Sequence, residues 1–139
     1  MKDVISQAIK DNRAMIADLE GVLGDMDQLA LEPVHRFSEG LYARELTIPA
    51  GSVVVGKIHK HAHLNVIMSG RVTVTTPFGS DELEGPVIFE SKPDTKRAVY
   101  AHTDTVWITF HPTEETDIEV IEEQIILKDY SDNLLEDLK

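Results

Sequence analysis

The middle of this chain is cut into short extended runs by glycine and proline, and that punctuation limits the folds open to it. Runs at 41–48, 52–58, 64–68, 71–75, 87–89, 98–100 and 105–110 are separated by Pro49-Ala50-Gly51, Ser69-Gly70, Pro77-Phe78-Gly79-Ser80, Gly85-Pro86, Lys92-Pro93-Asp94 and Thr103-Asp104. Many short strands at such spacing, with no helical segment between them, predict a β-sandwich or jelly roll. A parallel α/β fold, which needs a helix between successive strands, does not fit.

Both flanks read differently. Between residues 3 and 23, Ile5, Ile9, Ile16, Leu19 and Leu23 recur at helical spacing and predict an amphipathic helix packed on the barrel or on a second subunit. After His111-Pro112, the run Thr116-Asp117-Ile118-Glu119 reads as a capping box with Thr116 as N-cap, and Ile118, Ile121 and Ile125 fall on one face of the helix that follows. The predicted organisation is one domain: a helical arm over 1–36, a β-barrel over 37–112, and a helix with an acidic tail over 113–139. Two apolar helix faces are more than one small barrel covers, so a homodimer is expected.

At 139 residues the chain can bury a core without staples, and it has no cysteine. Thiolate chemistry is excluded, and any metal must sit on His, carboxylate or amide ligands. No run is long and apolar enough for a bilayer, and Met1 to Gln7 carries no secretory pattern, so a soluble cytoplasmic protein is expected. The net charge of −12 argues against binding a nucleic-acid polymer. Between residues 51 and 102, however, six basic side chains meet five acidic ones, and four of the six histidines fall there. That segment can host an anion. Phosphate-binding, zincin and serine-hydrolase motifs are absent from the sequence.

His59, His61 and His63 alternate, so one extended strand would project all three from one face, with Lys57 and Asn65 in phase. Neutral imidazoles suit a divalent transition metal such as Zn, Fe, Mn or Ni, completed from a second strand. The competing reading is a set of solvated surface histidines. On the last strand Trp107, Thr109 and His111 share a face opposite to Val106, Ile108 and Phe110, and the mixed aromatic and polar set is the one expected to line a pocket.

Ile48-Pro49-Ala50-Gly51 followed by Gly56, His59, His63 and Gly70 resembles the first motif of the cupin superfamily, in which a glycine precedes two histidines, a glutamate and a second glycine. Lys57 stands in the place of the first histidine, His59 of the second and His63 of the glutamate. Pro93-Asp94-Thr95-Lys96-Arg97-Ala98 resembles the second motif, with Ala98 in the place of its metal-binding histidine. His102, of the same parity, is a substitute, and Arg97 is in reach of the pocket after a one-residue shift. The resemblance implies a cupin-like jelly-roll barrel, the double-stranded β-helix. The strings Gly56-Lys57-Ile58-His59-Lys60, His63-Leu64-Asn65, Thr95-Lys96-Arg97 and Asp104-Thr105-Val106-Trp107 are also similar to small cupin-like proteins of unassigned activity from tailed-phage genomes. That likeness implies phage origin and a bacterial host cell.

Taken together, these readings predict a small-molecule-binding protein rather than an enzyme. Its ligand would be anionic, of the kind of a host signalling nucleotide, held by Lys57, His59, His63, Asn65, Arg97 and Trp107. The first alternative is a metal-dependent isomerase, lyase or dioxygenase using His59, His63 and either His61 or His102. The second is a phage structural or assembly protein with a vestigial pocket.

Overall fold

The computed structural model describes residues 31–127 apart from 57, 77, 94 and 95. The expected N-terminal helix, the tail over 128–139 and Lys57 therefore lie outside the described residues. Among the described residues eleven strands and one helix follow one another: β1 (Val34–Ser38), β2 (Leu41–Ile48), β3 (Val53–Val55), β4 (Ile58–His59), β5 (His63–Ser69), β6 (Arg71–Thr76), β7 (Gly79–Glu84), β8 (Val87–Ser91), β9 (Ala98–Ala101), β10 (Thr105–Pro112), α1 (Ile118–Ile125) and β11 (Ile126–Leu127).

The strands pair antiparallel into a five-stranded sheet of order β1-β2-β10-β5-β8, a four-stranded sheet of order β3-β9-β6-β7, and a short pair of β11 with β4. Strand alternation decides what faces inward. It buries Tyr42 and Ile48 of β2, His63, Asn65 and Ile67 of β5, and Thr105, Trp107 and His111 of β10. From the second sheet Val72, Val74, Val99 and Ala101 join Ile48, Ile67 and Trp107 in the main apolar cluster. A smaller cluster joins Tyr42 to Ile121 and Ile125 of α1. Two antiparallel sheets closed over a shared interior form the expected jelly roll, mainly β, with α1 packed against it.

The β5–β6 turn shows why punctuation matters. Gly70 has φ +103°, and a Cβ there would approach Thr105 and come within 2.6 Å of the Asp104 carbonyl oxygen. Only glycine serves both the backbone angle and the close approach.

Several elements differ from the sequence expectation. The first strand begins at Val34, ahead of the expected barrel start at residue 37, and β7 occupies what reads as a turn followed by acidic residues. The run expected over 52–58 divides: β3 joins the second sheet, Gly56 donates to the Arg97 carbonyl, and β4 pairs instead with β11. The N-cap of α1 is Asp117, not Thr116; the Asp117 carboxylate accepts from the Glu119 amide at 3.0 Å. A carboxylate bonded to an orphan amide at the positive end of a helix is the stronger cap. Asp117→Ala is therefore expected to cost about 1 kcal/mol in urea unfolding, and Thr116→Ala close to nothing; equal effects would contradict the assignment.

Candidate metal and ligand site

A cavity of about 200 Å³ lies inside the barrel, walled by members of both apolar clusters and by α1. Inward parity of β10 gives it Trp107, Thr109 and His111, and β2 gives it Tyr42, Arg44, Leu46 and Ile48. His59 reaches it from β4. That short strand is held in place by Lys60, whose amide donates to the Ile125 carbonyl at 2.7 Å and whose Nζ donates to the Glu123 carbonyl at 2.8 Å.

Three imidazoles meet at this cavity, His59 and His111 on its wall and His63 against both. Ring centroids are 4.3 Å apart for His59 and His63, 4.8 Å for His63 and His111, and 5.3 Å for His59 and His111. One ligand nitrogen from each lies within 4.8 Å of the others. Three nitrogens spaced evenly around one ion at about 2.1 Å stand no more than about 3.6 Å from one another, so the set must draw together to share a metal. His63 and His111 are 5% and 3% exposed.

Neither ring nitrogen of His63 makes a hydrogen bond of good distance and angle, although both are buried; the His61 backbone and the Asn65 side chain stand close enough only to offset part of the effect of burial on the ring. His111 Nε2 lies 3.1 Å from Thr109 Oγ1, which fixes the ring in its plane. Burial, reinforced by the neighbouring rings and by Arg97 and Arg44, pushes the His59 imidazole down to about 3. Burial lowers His63 to about 4, with Arg97 adding to the effect, and His111 to about 4, with His63 adding to it. All three are neutral at pH 7, the state a metal requires.

Beside them is a polar network built on Asn65. Its Oδ1 accepts from Trp107 Nε1 at 3.0 Å and from Arg97 Nη2 at 3.4 Å, and its Nδ2 donates to Ser91 Oγ at 2.8 Å. Arg97 lies over the Trp107 ring, 5.2 Å from its centroid, and lines the cavity. Burial lowers its guanidinium to about 10, which leaves it charged at neutral pH. Its Nη1 is buried without a hydrogen-bond partner.

The structure thus brings His59, His63, Asn65, Arg97 and Trp107 together. It places His61 and His102 elsewhere, so the third imidazole beside His59 and His63 is His111. The strict alternation of 59, 61 and 63 holds only along one continuous strand, and the chain bends between β4 and β5, leaving His61 exposed. His102 bonds to Thr73 Oγ1 at 2.7 Å, next to Tyr100. The inward parity of Trp107 and Thr109 carries His111 with it, but nothing local in the sequence marks it as a partner of His63. Arg44, Tyr42 and Glu122 also line the cavity without having stood out in the sequence.

No family model and no curated protein sequence matches the chain. Solved structures do. Ectoine synthase from P. lautus superposes with a TM-score of 0.57 at 15% identity, over 78% of this chain and 85% of that one. A cupin superfamily protein from Desulfitobacterium hafniense gives 0.52 at 10% identity, over 63% and 82%. A cupin domain from Bordetella pertussis gives 0.50 at 20% identity, over 63% and 98%. At these identities the likeness concerns the fold, and it agrees with the sheet order and the inward-facing strands described above: the chain is a cupin-fold protein.

Proposed function

We propose that the chain binds a small anionic molecule in its barrel, next to one divalent transition metal held by His59, His63 and His111. The observation that carries this reading is His63. A buried polar group without a partner costs about 1–3 kcal/mol, and here two nitrogens on one ring lack a well-formed hydrogen bond while two more neutral imidazoles stand against it. A metal ion shared by the three rings would take up one of those nitrogens and remove its share of the cost. An imidazolium site for anions is disfavoured, because rings lowered to about 3 and 4 do not carry charge at pH 7.

Besides the metal, positive charge for an anion comes from Arg97 and Arg44 on the cavity wall. At about 200 Å³ the cavity is smaller than the ~300–1,000 Å³ typical of drug-sized ligands, which favours an anion smaller than a signalling nucleotide. When bound, the metal supplies a Lewis-acid centre with open positions, the requirement shared by an anion binder and by an isomerase, lyase or dioxygenase. Within the chain, Thr109 orients His111, and Asn65 holds Arg97 and Trp107 in one arrangement.

Elemental analysis and native mass spectrometry on protein purified without a metal-affinity column test the reading. One equivalent of Zn, Fe, Mn or Ni per chain is expected. Protein that neither carries such a metal nor takes one up at micromolar concentration would defeat it, and would favour a scaffold with a vestigial pocket.

A further inference from the structure

We propose that the ligand is a small monocarboxylate with an apolar body, its carboxylate held by Arg97 beside the three imidazoles. This rests on the metal-centred reading above and adds the chemical class of the ligand. Three observations lead to it.

The first is the state of Arg97. Its Nη2 is engaged by Asn65 Oδ1 and its face by the Trp107 ring, whereas Nη1 is buried with no partner. Arg97 also lines the cavity, and a guanidinium held in this way brings a charge-assisted donor to a ligand at small entropic cost, suited to a planar carboxylate. The fixing is itself anchored, since Asn65 is completely buried and tied to Ser91 and Trp107.

The second is the number of donors. A phosphate dianion presents three strong acceptor oxygens and is normally met by several cations or amides. Here the cavity wall offers two arginines, of which Arg97 already gives Nη2 to Asn65. A carboxylate, with two oxygens, asks for fewer donors than a phosphate.

The third is the rest of the wall. Beside its polar and aromatic residues the wall carries an aliphatic set, Ile48, Val54 and Val99 on the sheets and Ile118, Ile121 and Ile125 on the helix. Water in contact with these groups is displaced favourably by a hydrocarbon body of a few carbons. The size of the cavity sets the same limit.

Titration calorimetry on the full chain loaded with the metal it takes up, using four probes, tests the assignment. 3-Methylbutanoate is expected to bind. Its neutral isostere 3-methylbutanamide is expected to bind about 10- to 100-fold more weakly for want of the charged hydrogen bond, and acetate more weakly for want of the apolar body. Inorganic phosphate is expected to bind more weakly than 3-methylbutanoate. Arg97→Gln should erase the preference for carboxylate over amide, and the wild-type comparison stands whether or not that variant folds. Equal binding of carboxylate and amide, tighter binding of phosphate, or binding of none of the four by metal-loaded protein would overturn the assignment. If the chain takes up no metal, the metal-centred reading fails by itself. The metal-free chain then decides the role of Arg97: a retained preference for carboxylate supports it and a lost one overturns it.

Discussion

Replacing His111 with alanine is expected to abolish stoichiometric metal binding, although nothing in the sequence near His59 and His63 points to that residue. Structural zinc on four ligands is worth roughly 10–16 kcal/mol, or about 2.5–4 kcal/mol per ligand. Loss of one imidazole from a set of three should therefore weaken binding by about 100- to 1,000-fold. The control variants are His61→Ala and His102→Ala. His61 is exposed and His102 is engaged by Thr73, so both should keep wild-type uptake. Thermal melts separate lost ligation from lost folding. Metal at about 100 times its Kd should stabilise the wild type by about 2.7 kcal/mol and leave the melting temperature of His111→Ala unmoved. Uptake of one equivalent by His111→Ala with unchanged affinity would rule out the triad.

The strands that were legible in the sequence are those whose burial leaves a mark. β2 matches its expected span because Gly40, with φ +76°, precedes it and Pro49-Ala50-Gly51 stops it. β1 and β7 lie at the outer edges of the two sheets and are almost wholly exposed, with Leu83 the one partly buried side chain of β7. Neither needs an apolar pattern, so the sequence carries none. The site shows the same division. Parity along β10 placed Trp107, Thr109 and His111 inward together, which is local information. That His111 comes to rest against His63 depends on the β10–β5 register, where Phe110 lies opposite Leu64 and Thr109 opposite Asn65. Register is a non-local property that spacing does not encode. His61 shows the converse, since a parity argument carried through a bend assigns a neighbour that the fold separates.

Metal-free protein is expected to lose stability steeply as the pH falls from about 6.5 toward 4, and to show a plateau above that range. The three imidazoles titrate near 6.5 in the unfolded chain and are lowered to about 3 for His59 and about 4 for His63 and His111 in the folded one. Between those values the unfolded state binds protons that the folded state refuses, so acid favours unfolding and stability rises with pH. Each group contributes a slope of about 1.4 kcal/mol per pH unit, and three together approach about 4. By pH 4 that slope removes about 9 kcal/mol, a large share of a typical total of about 5–15 kcal/mol. Urea titrations in the presence of a chelator, at constant ionic strength from pH 8 to pH 4, measure it directly. Converting any one of the three to glutamine should reduce the slope by about one proton, while the same change at exposed His61 should leave it intact. A flat stability profile between pH 6.5 and 5 in the wild type would mean that the rings are hydrated and free to protonate in the folded chain, which is incompatible with the buried His63 on which the metal site depends.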